Sequence, residues 1–177
     1  MIYVSPFACL SDYIYCMNEI KPIKRSVELQ PLSREHHEGL LYVWKLRQGL
    51  KNNTDIEKLR EYTGWYWKNH IRPHFFQEEK VLAIRMPDNP LVQRMKKDHD
   101  DIRELIIAID KDMHRQDIIR LADLIEQHIR FEERELFGYM EQHLAPDELI
   151  SIHAELEKHP VSCEEWKNEF WVNKEVS

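Results

Sequence analysis

Ten histidines in 177 residues are the compositional oddity of this chain, and their spacing is where chemistry could begin. His74 is followed by Glu78, Glu79 and Leu82 at +4, +5 and +8, and His128 by Glu132, Glu133 and Leu136 at the same offsets. On a helix rising ~1.5 Å per residue, an HxxxE step sets imidazole and carboxylate on one face about 6 Å apart along the axis, where both can close on a metal ion. Two lone histidines interleave with these pairs. His37 is followed by Leu40, Val43 and Trp44 at +3, +6 and +7, and His99 by Ile102, Leu105 and Ile106 at those offsets. Each shares a helix face with an apolar stripe that turns inward. His36 has Gly39 and Tyr42 at +3 and +6 instead, so His37 is the expected inward residue.

Four imidazoles (His37, His74, His99, His128) and two carboxylates (Glu78, Glu132) meeting inside a bundle without a cation would leave unpaired polar groups, at several kcal/mol. One divalent ion is offered too many donors, whereas two ions bridged by both carboxylates use them well. Mixed nitrogen and oxygen donors suit iron, manganese or zinc, and the lack of cysteine at the site argues against a soft-metal centre. Of about twelve positions on two six-coordinate ions, the histidines fill four and the bridging carboxylates four more. An oxide or hydroxide bridge would fill two, leaving about two open, which points to small-molecule chemistry over a purely structural site. His70, one turn before His74, is a candidate for one of them, and His36 is kept as a further candidate ligand. Glu79 and Glu133 are expected to face solvent or to accept a hydrogen bond from a ligating residue. His114, His143, His153 and His159 read as surface or capping residues, and Tyr42, Trp44, Trp65, Tyr66 and Trp67 as core and flank packing.

These residues need rods to hold them. A 42% apolar and 32% charged composition supports a packed core, and only 4 glycines argue against sandwiches, barrels and phosphate-loop folds. Residues 1–32 carry Pro6, Pro22 and Pro31 without helical period and read as an arm, with Met17 an alternative start. Ser33 is the expected N-cap of a first helix reaching Leu50. A second runs from Asp55 to Arg85 with a kink at Pro73, a third from Leu91 to Met113, and a fourth from Gln116 to Leu144. A short helix follows over Asp147–Lys158, and Ser162 with Glu165 marks another carrying Trp166, Phe170 and Trp171. The expected architecture is all-α: an up-down-up-down four-helix bundle over 33–145, the arm before it, and residues 146–177 packing on it as short helices.

The chain has a formal charge of −7 and a pI near 5.8, which disfavours nucleic acid and anionic membrane as partners. No apolar stretch reaches the ~18 residues of a membrane span. Cys9, Cys16 and Cys163 form neither a disulfide framework nor a zinc ribbon, and fit a reducing cytoplasm. HExxH, phosphate-loop, GxSxG and deaminase patterns are missing, so no particular enzyme is indicated. No glutamate stands three residues before any histidine, which rejects the ferritin-like Glu-x-x-His pattern.

The segments EHHEGLL (35–41), HIRPHFFQEE (70–79), KDHDDI (97–102) and HIRFEERELF (128–137) together resemble the hemerythrin family in its bacterial HHE cation-binding branch. The likeness spans about residues 33–144. It implies a non-haem di-iron centre, oxo- or hydroxo-bridged, with His37, His74, Glu78, His99, His128 and Glu132 as ligands and the two glutamates bridging. Reversible oxygen carriers of the family have another histidine one turn after the first on the third helix. Arg103 stands at that position, which counts against oxygen carriage. The order H, HxxxE, H, HxxxE is similar to iron-centre repair proteins linked to nitric oxide stress, whose usual cysteine-bearing N-terminal domain is not visible here. The resemblance thus implies a small diatomic or peroxide ligand, in sensing, scavenging or iron supply. The rival expectation is a regulatory or interaction module with a structural iron or zinc, presenting Trp166, Phe170 and Trp171 to a protein partner or a second copy.

Overall fold

The computed structural model describes residues 24–112, 114–158 and 166–172. Most of residues 1–32, Met113 and the Ser162–Glu165 capping signal fall outside that set. Among the described residues there is no strand, and the helices form four rods.

The first rod is α1, Gln30–Lys51, entered through a 3-10 turn at Val27–Leu29. It starts three residues before the expected Ser33 cap. Pro31 falls in the first turn, where its missing N–H has no intrahelical partner to lose, and Leu29 and Leu32 are fully buried. The second rod starts with α2, Ile56–Tyr66, capped by Asp55, whose carboxylate accepts from Glu57 N–H at 2.8 Å. A π-helical turn (Trp67–Ile71) leads into α3, Arg72–Gln77, and a second π turn (Glu78–Leu82) follows. The sequence predicts a kink at Pro73. The structure meets the proline with the first π turn, in which Arg72 N–H reaches the carbonyl of Trp67, so Pro73 enters the first turn of α3.

The third rod is α4, Pro90–Lys111, capped by Asn89, which accepts from Leu91 N–H at 2.8 Å. The fourth comprises α5, Arg115–Phe131, a π turn at Glu132–Leu136, and α6, Phe137–His143. Then α7, Pro146–Leu156, packs on the Val27–Leu29 turn and on the Glu78–Leu82 turn. α5 lies against both α1 and α4, and α2 against α4. α5 comes close to α1 at Gly39, where a Cβ would stand 2.8 Å from Ile129 Cδ1.

The apolar core has two parts. One gathers Tyr42, Tyr62, Ile102 and Leu121; the other gathers Leu29, Met95, Phe137 and Ile152. Buried polar residues of all four rods occupy the level between them.

Residues 166–172 form no helix, unlike the sequence expectation; only a turn is made at Phe170–Trp171. Their aromatic rings supply the binding energy that a helix would otherwise add. Phe170 and Trp166 pack on Tyr62, with ring centroids 5.0 and 5.4 Å away, and the Phe170 carbonyl accepts from Asn52 Nδ2 at 3.2 Å. Trp166, Phe170 and Trp171 therefore complete this chain's own core. No helix among the described residues is long and apolar enough to cross a membrane.

Gly49 is the seat of that tail: a Cβ there would stand 2.6 Å from Phe170 Cε2 and 2.8 Å from Leu59 Cδ2. Gly49→Ala gains about 1 kcal/mol of helix propensity but overpacks by about 1–3 kcal/mol. We expect net destabilisation in thermal unfolding, with tryptophan emission shifted to the red as Trp166 and Trp171 lift away. Gly64 has nothing within 4 Å of its Cβ position, so Gly64→Ala should stabilise by up to about 1 kcal/mol.

Candidate metal centre

Each rod sends one histidine to the middle of the bundle, and the second and fourth each add a glutamate one turn later. The inward residues are His36 from α1, His74 and Glu78 from the second rod, His99 from α4, and His128 and Glu132 from the fourth. All six are buried, with Glu78 and Glu132 at 0% exposure. Their potential donor atoms form two groups, each within 4.8 Å: His36, His74, Glu78 and Glu132; and Glu78, His99, His128 and Glu132. The two glutamates belong to both.

The carboxylates sit between the histidine pairs. Glu78 turns Oε1 towards His74 Nε2 (3.3 Å) and His36 Nε2 (3.6 Å), and Oε2 towards His99 Nε2 (3.1 Å). Glu132 turns Oε2 towards His36 Nε2 (3.0 Å) and His128 Nε2 (3.2 Å), and Oε1 towards His99 Nε2 (4.0 Å). Both glutamates begin a π turn, a local widening that recurs at functional sites.

The outer nitrogens have acidic partners. His36 Nδ1 lies 2.7 Å from Glu133, His74 Nδ1 2.7 Å from Glu35 and His99 Nδ1 2.8 Å from Glu79, all within hydrogen-bond reach, whereas His128 Nδ1 stands 3.7 Å from Asp98, beyond it. A hydrogen bond from Nδ1–H to a carboxylate fixes the tautomer and leaves the Nε2 lone pair pointing inward. The partners repeat as the ligands do: Glu35 and Asp98 each precede a lone histidine, while Glu79 and Glu133 each follow a central glutamate. Glu79 and Glu133 thus accept hydrogen bonds, one of the two expected outcomes.

Both oxygens of Glu78 and of Glu132, with Nε2 of His99 and of His128, are buried and lack a hydrogen-bond partner. Neutral core packing does not account for such a set, because each unpaired buried polar group costs roughly 1–3 kcal/mol and more when charged. Two cations between the imidazole pairs would engage all of these atoms. The donor chemistry fits.

The electrostatics run the same way. Burial disfavours charge on His36, but Glu132, Glu133 and Glu78 outweigh it and raise its pKa well above the ordinary imidazole value. Burial likewise opposes a charged His74, yet the Glu78 charge and the Glu35 hydrogen bond lift it to about 9. His99 is raised against burial by Glu78 and Glu79. On the acid side, burial opposes ionisation, but His74, His36 and His99 hold Glu78 well below the usual carboxylate range. His36, Ser33 and Arg25 hold Glu133 down to about 2 in the same manner. The centre demands positive charge, as protons or as metal.

The structure corrects one sequence expectation. His37 is exposed on the outer side of α1, and His36 holds the inward place. Trp44, which marked the wrong stripe, is 48% exposed, whereas Tyr42, Val43 and Leu46 are buried. Gly39 at +3 from His36 was the usable signal, since glycine marks the close approach of a neighbouring helix rather than an outer face. His70 belongs to neither donor group; its ring stacks on Tyr66 with centroids 4.5 Å apart. Arg103 points away from the centre to Glu79 and Asp100.

A cavity of about 1370 Å³ reaches the centre, lined by His36, His74, His128, Tyr66, His70 and Ile129 among others. Phe75, which also lines that cavity, lies flat on His99, with centroids 3.7 Å apart, and covers it. Access to the centre is therefore unequal.

An all-helical bundle with a buried, paired histidine–carboxylate centre defines a cation-binding helical domain. The chain matches the family model of the hemerythrin HHE cation-binding domain over residues 30–140, and it belongs to that family. No curated protein and no solved structure gave a significant match.

The pKa shifts set the pH response of the metal-free protein. Imidazoles with raised values stabilise fully below about pH 6.5, their unfolded value, and lose that contribution as pH rises through about 9 for His74. Depressed carboxylates stabilise above about pH 4.5 and lose it as pH falls towards about 2 for Glu133. Thermal unfolding of metal-free protein should be most resistant between about pH 4.5 and 6.5 and weaken towards pH 9. Metal should restore the alkaline side, because it replaces the lost protons.

Proposed function

We propose that the chain holds two iron ions, one among His36, His74, Glu78 and Glu132 and the other among Glu78, His99, His128 and Glu132. The ions serve to bind, or react with, a small ligand such as oxygen, nitric oxide or peroxide, in sensing, scavenging or iron supply. The observation that carries this reading is the set of buried, unpaired glutamate oxygens and histidine Nε2 atoms shared between two donor groups. When bound, a pair of redox-active ions supplies coordination positions and electrons to such a ligand.

The chain's own residues do the rest. Glu35, Glu79 and Glu133 orient three of the imidazoles by hydrogen bonds, and Asp98 lies 3.7 Å from the fourth. Phe75 keeps water from His99, while the cavity admits a small ligand beside His36, His74 and His128. Arg103, where oxygen carriers have a fifth histidine, is committed to carboxylates outside the centre, so each ion would have the same donors: two imidazoles and two shared glutamates. A reducing cytoplasm, in keeping with the cysteine pattern, would supply ferrous iron.

Metal-free protein titrated anaerobically with ferrous iron should take up two equivalents and develop a near-ultraviolet charge-transfer band on admission of air. Glu78→Ala and Glu132→Ala should each lose most of at least one equivalent. His36→Ala should lower uptake, and His37→Ala should leave it unchanged. Full uptake by both glutamate variants would refute the bridging roles. Uptake of zinc with no response of the iron form to air, nitric oxide or peroxide would favour the structural-metal reading.

A further inference from the structure

Two guanidinium groups stand at matching places around the centre although their sequence positions have nothing in common. Arg103, on α4 one turn after His99, donates to Glu79 at 2.5 Å, and Glu79 meets His99 Nδ1 at 2.8 Å. The same guanidinium lies 5.5 Å from the Phe75 ring, which stacks on His99. Arg25 lies ahead of the first turn of the bundle. It donates to the Glu133 carboxylate at 2.9 Å and to the Glu133 carbonyl at 2.5 Å, and Glu133 meets His36 Nδ1 at 2.7 Å. Its guanidinium lies 5.2 Å from the Phe137 ring, which stacks on His36 with centroids 5.3 Å apart. Each outer assembly has the same parts: arginine, carboxylate, imidazole, and a phenylalanine on the imidazole face.

We infer that Arg25 is a positioning residue for His36, acting through Glu133, and that it does for one half of the centre what Arg103 does for the other. The inference rests on the metal-pair reading above. A carboxylate beside an imidazole can swing to another donor or draw off the Nδ1 proton; a guanidinium holding both its oxygen and its backbone carbonyl suppresses both. The ring then keeps Nδ1–H on Glu133 and its Nε2 lone pair inward.

Arg25 is itself held in place. It is 8% exposed, its second arm donates to Glu141 at 3.1 Å, and Glu141 also accepts from Ser26 N–H at 2.7 Å. The strand of chain entering α1 is thus tied to the fourth rod at the level of His36. Loosening that entry segment takes Arg25 off Glu133 and leaves the carboxylate to Ser33 Oγ, 2.6 Å away, and His36, while the His99 side keeps its own arginine on α4. The two positions would respond separately.

The test is a cobalt(II) titration of the full-length metal-free protein against a competing chelator, followed by visible absorption, with thermal unfolding of each metal-free variant alongside. Arg25→Gln should weaken one of the two equivalents about tenfold or more and change its part of the visible spectrum. Arg103→Gln should weaken the other equivalent. Arg25→Gln combined with Glu133→Gln should bind no worse than Glu133→Gln alone, because arginine acts only through that carboxylate. Unchanged affinities in Arg25→Gln, a purely additive double variant, or a lowered melting point with wild-type cobalt binding would each overturn the inference. Should Arg25→Gln not fold, Glu141→Gln removes the other anion holding Arg25 and should weaken the same equivalent; unchanged binding there overturns it equally. A wild-type chain that takes up no cobalt or iron would instead remove the metal-pair reading beneath it.

Discussion

Two carboxylates with no exposed surface sit at the centre of this bundle, and everything around them answers the need for positive charge. Glu78 and Glu132 can remain ionised at 0% exposure only while cationic groups stay within a few ångströms, since an isolated buried carboxylate is far too costly. Protonated His36, His74 and His99 supply that charge, and bound cations would supply it when the imidazoles are neutral. Proton and metal would compete for the same nitrogens, which links occupancy to pH. The outer carboxylates Glu35, Glu79 and Glu133 make the neutral, metal-ready tautomers of His74, His99 and His36 specific rather than one of two.

At the start of the Glu78–Leu82 and Glu132–Leu136 π turns, neighbouring residues serve different partners. Glu78 and Glu79 are adjacent, as are Glu132 and Glu133, and neighbours on a helix point about 100° apart. Here the first of each pair faces the centre while the second leans to the next rod, Glu79 to His99 and Glu133 to His36. Each hairpin thereby orients the lone histidine of the other hairpin. Glu35 and Asp98 work inside their own hairpins, on His74 and His128. The centre is stitched in both directions, and neither hairpin holds a complete half of it.

Much of this was legible in the residues. The repeated HxxxE pairs located the second and fourth rods and four of the six central donors, because i and i+4 fall on one face whatever the tertiary context. His99 was legible from its apolar companions. His36 was not, since Trp44 outweighed a glycine in a reading based on hydrophobic stripes, although the packing of Ile129 on Gly39 decides the face. The acidic partners of the imidazoles lay beyond reach for another reason. Their contacts join residues 20 to 97 positions apart, and no periodicity along one helix encodes them. Arg25 was hidden in a segment without helical pattern. The tail at 166–172 misled because Ser162 and Glu165 ahead of it read as a capping box, whereas its rings are anchored singly against Tyr62 and Gly49.

The division of the apolar core has a mechanical consequence. Tyr42, Tyr62 and Leu121 lie in one apolar body and Met95, Phe137 and Ile152 in another, and the layer joining them consists of groups that repel or attract according to what they hold. Filled with cations, that layer would act as a row of rivets through all four rods; stripped of them at alkaline pH, it would become a seam between the two bodies. Loading and unloading would then change the stiffness of the whole molecule, so a partner could sense the state of the centre without ever touching it.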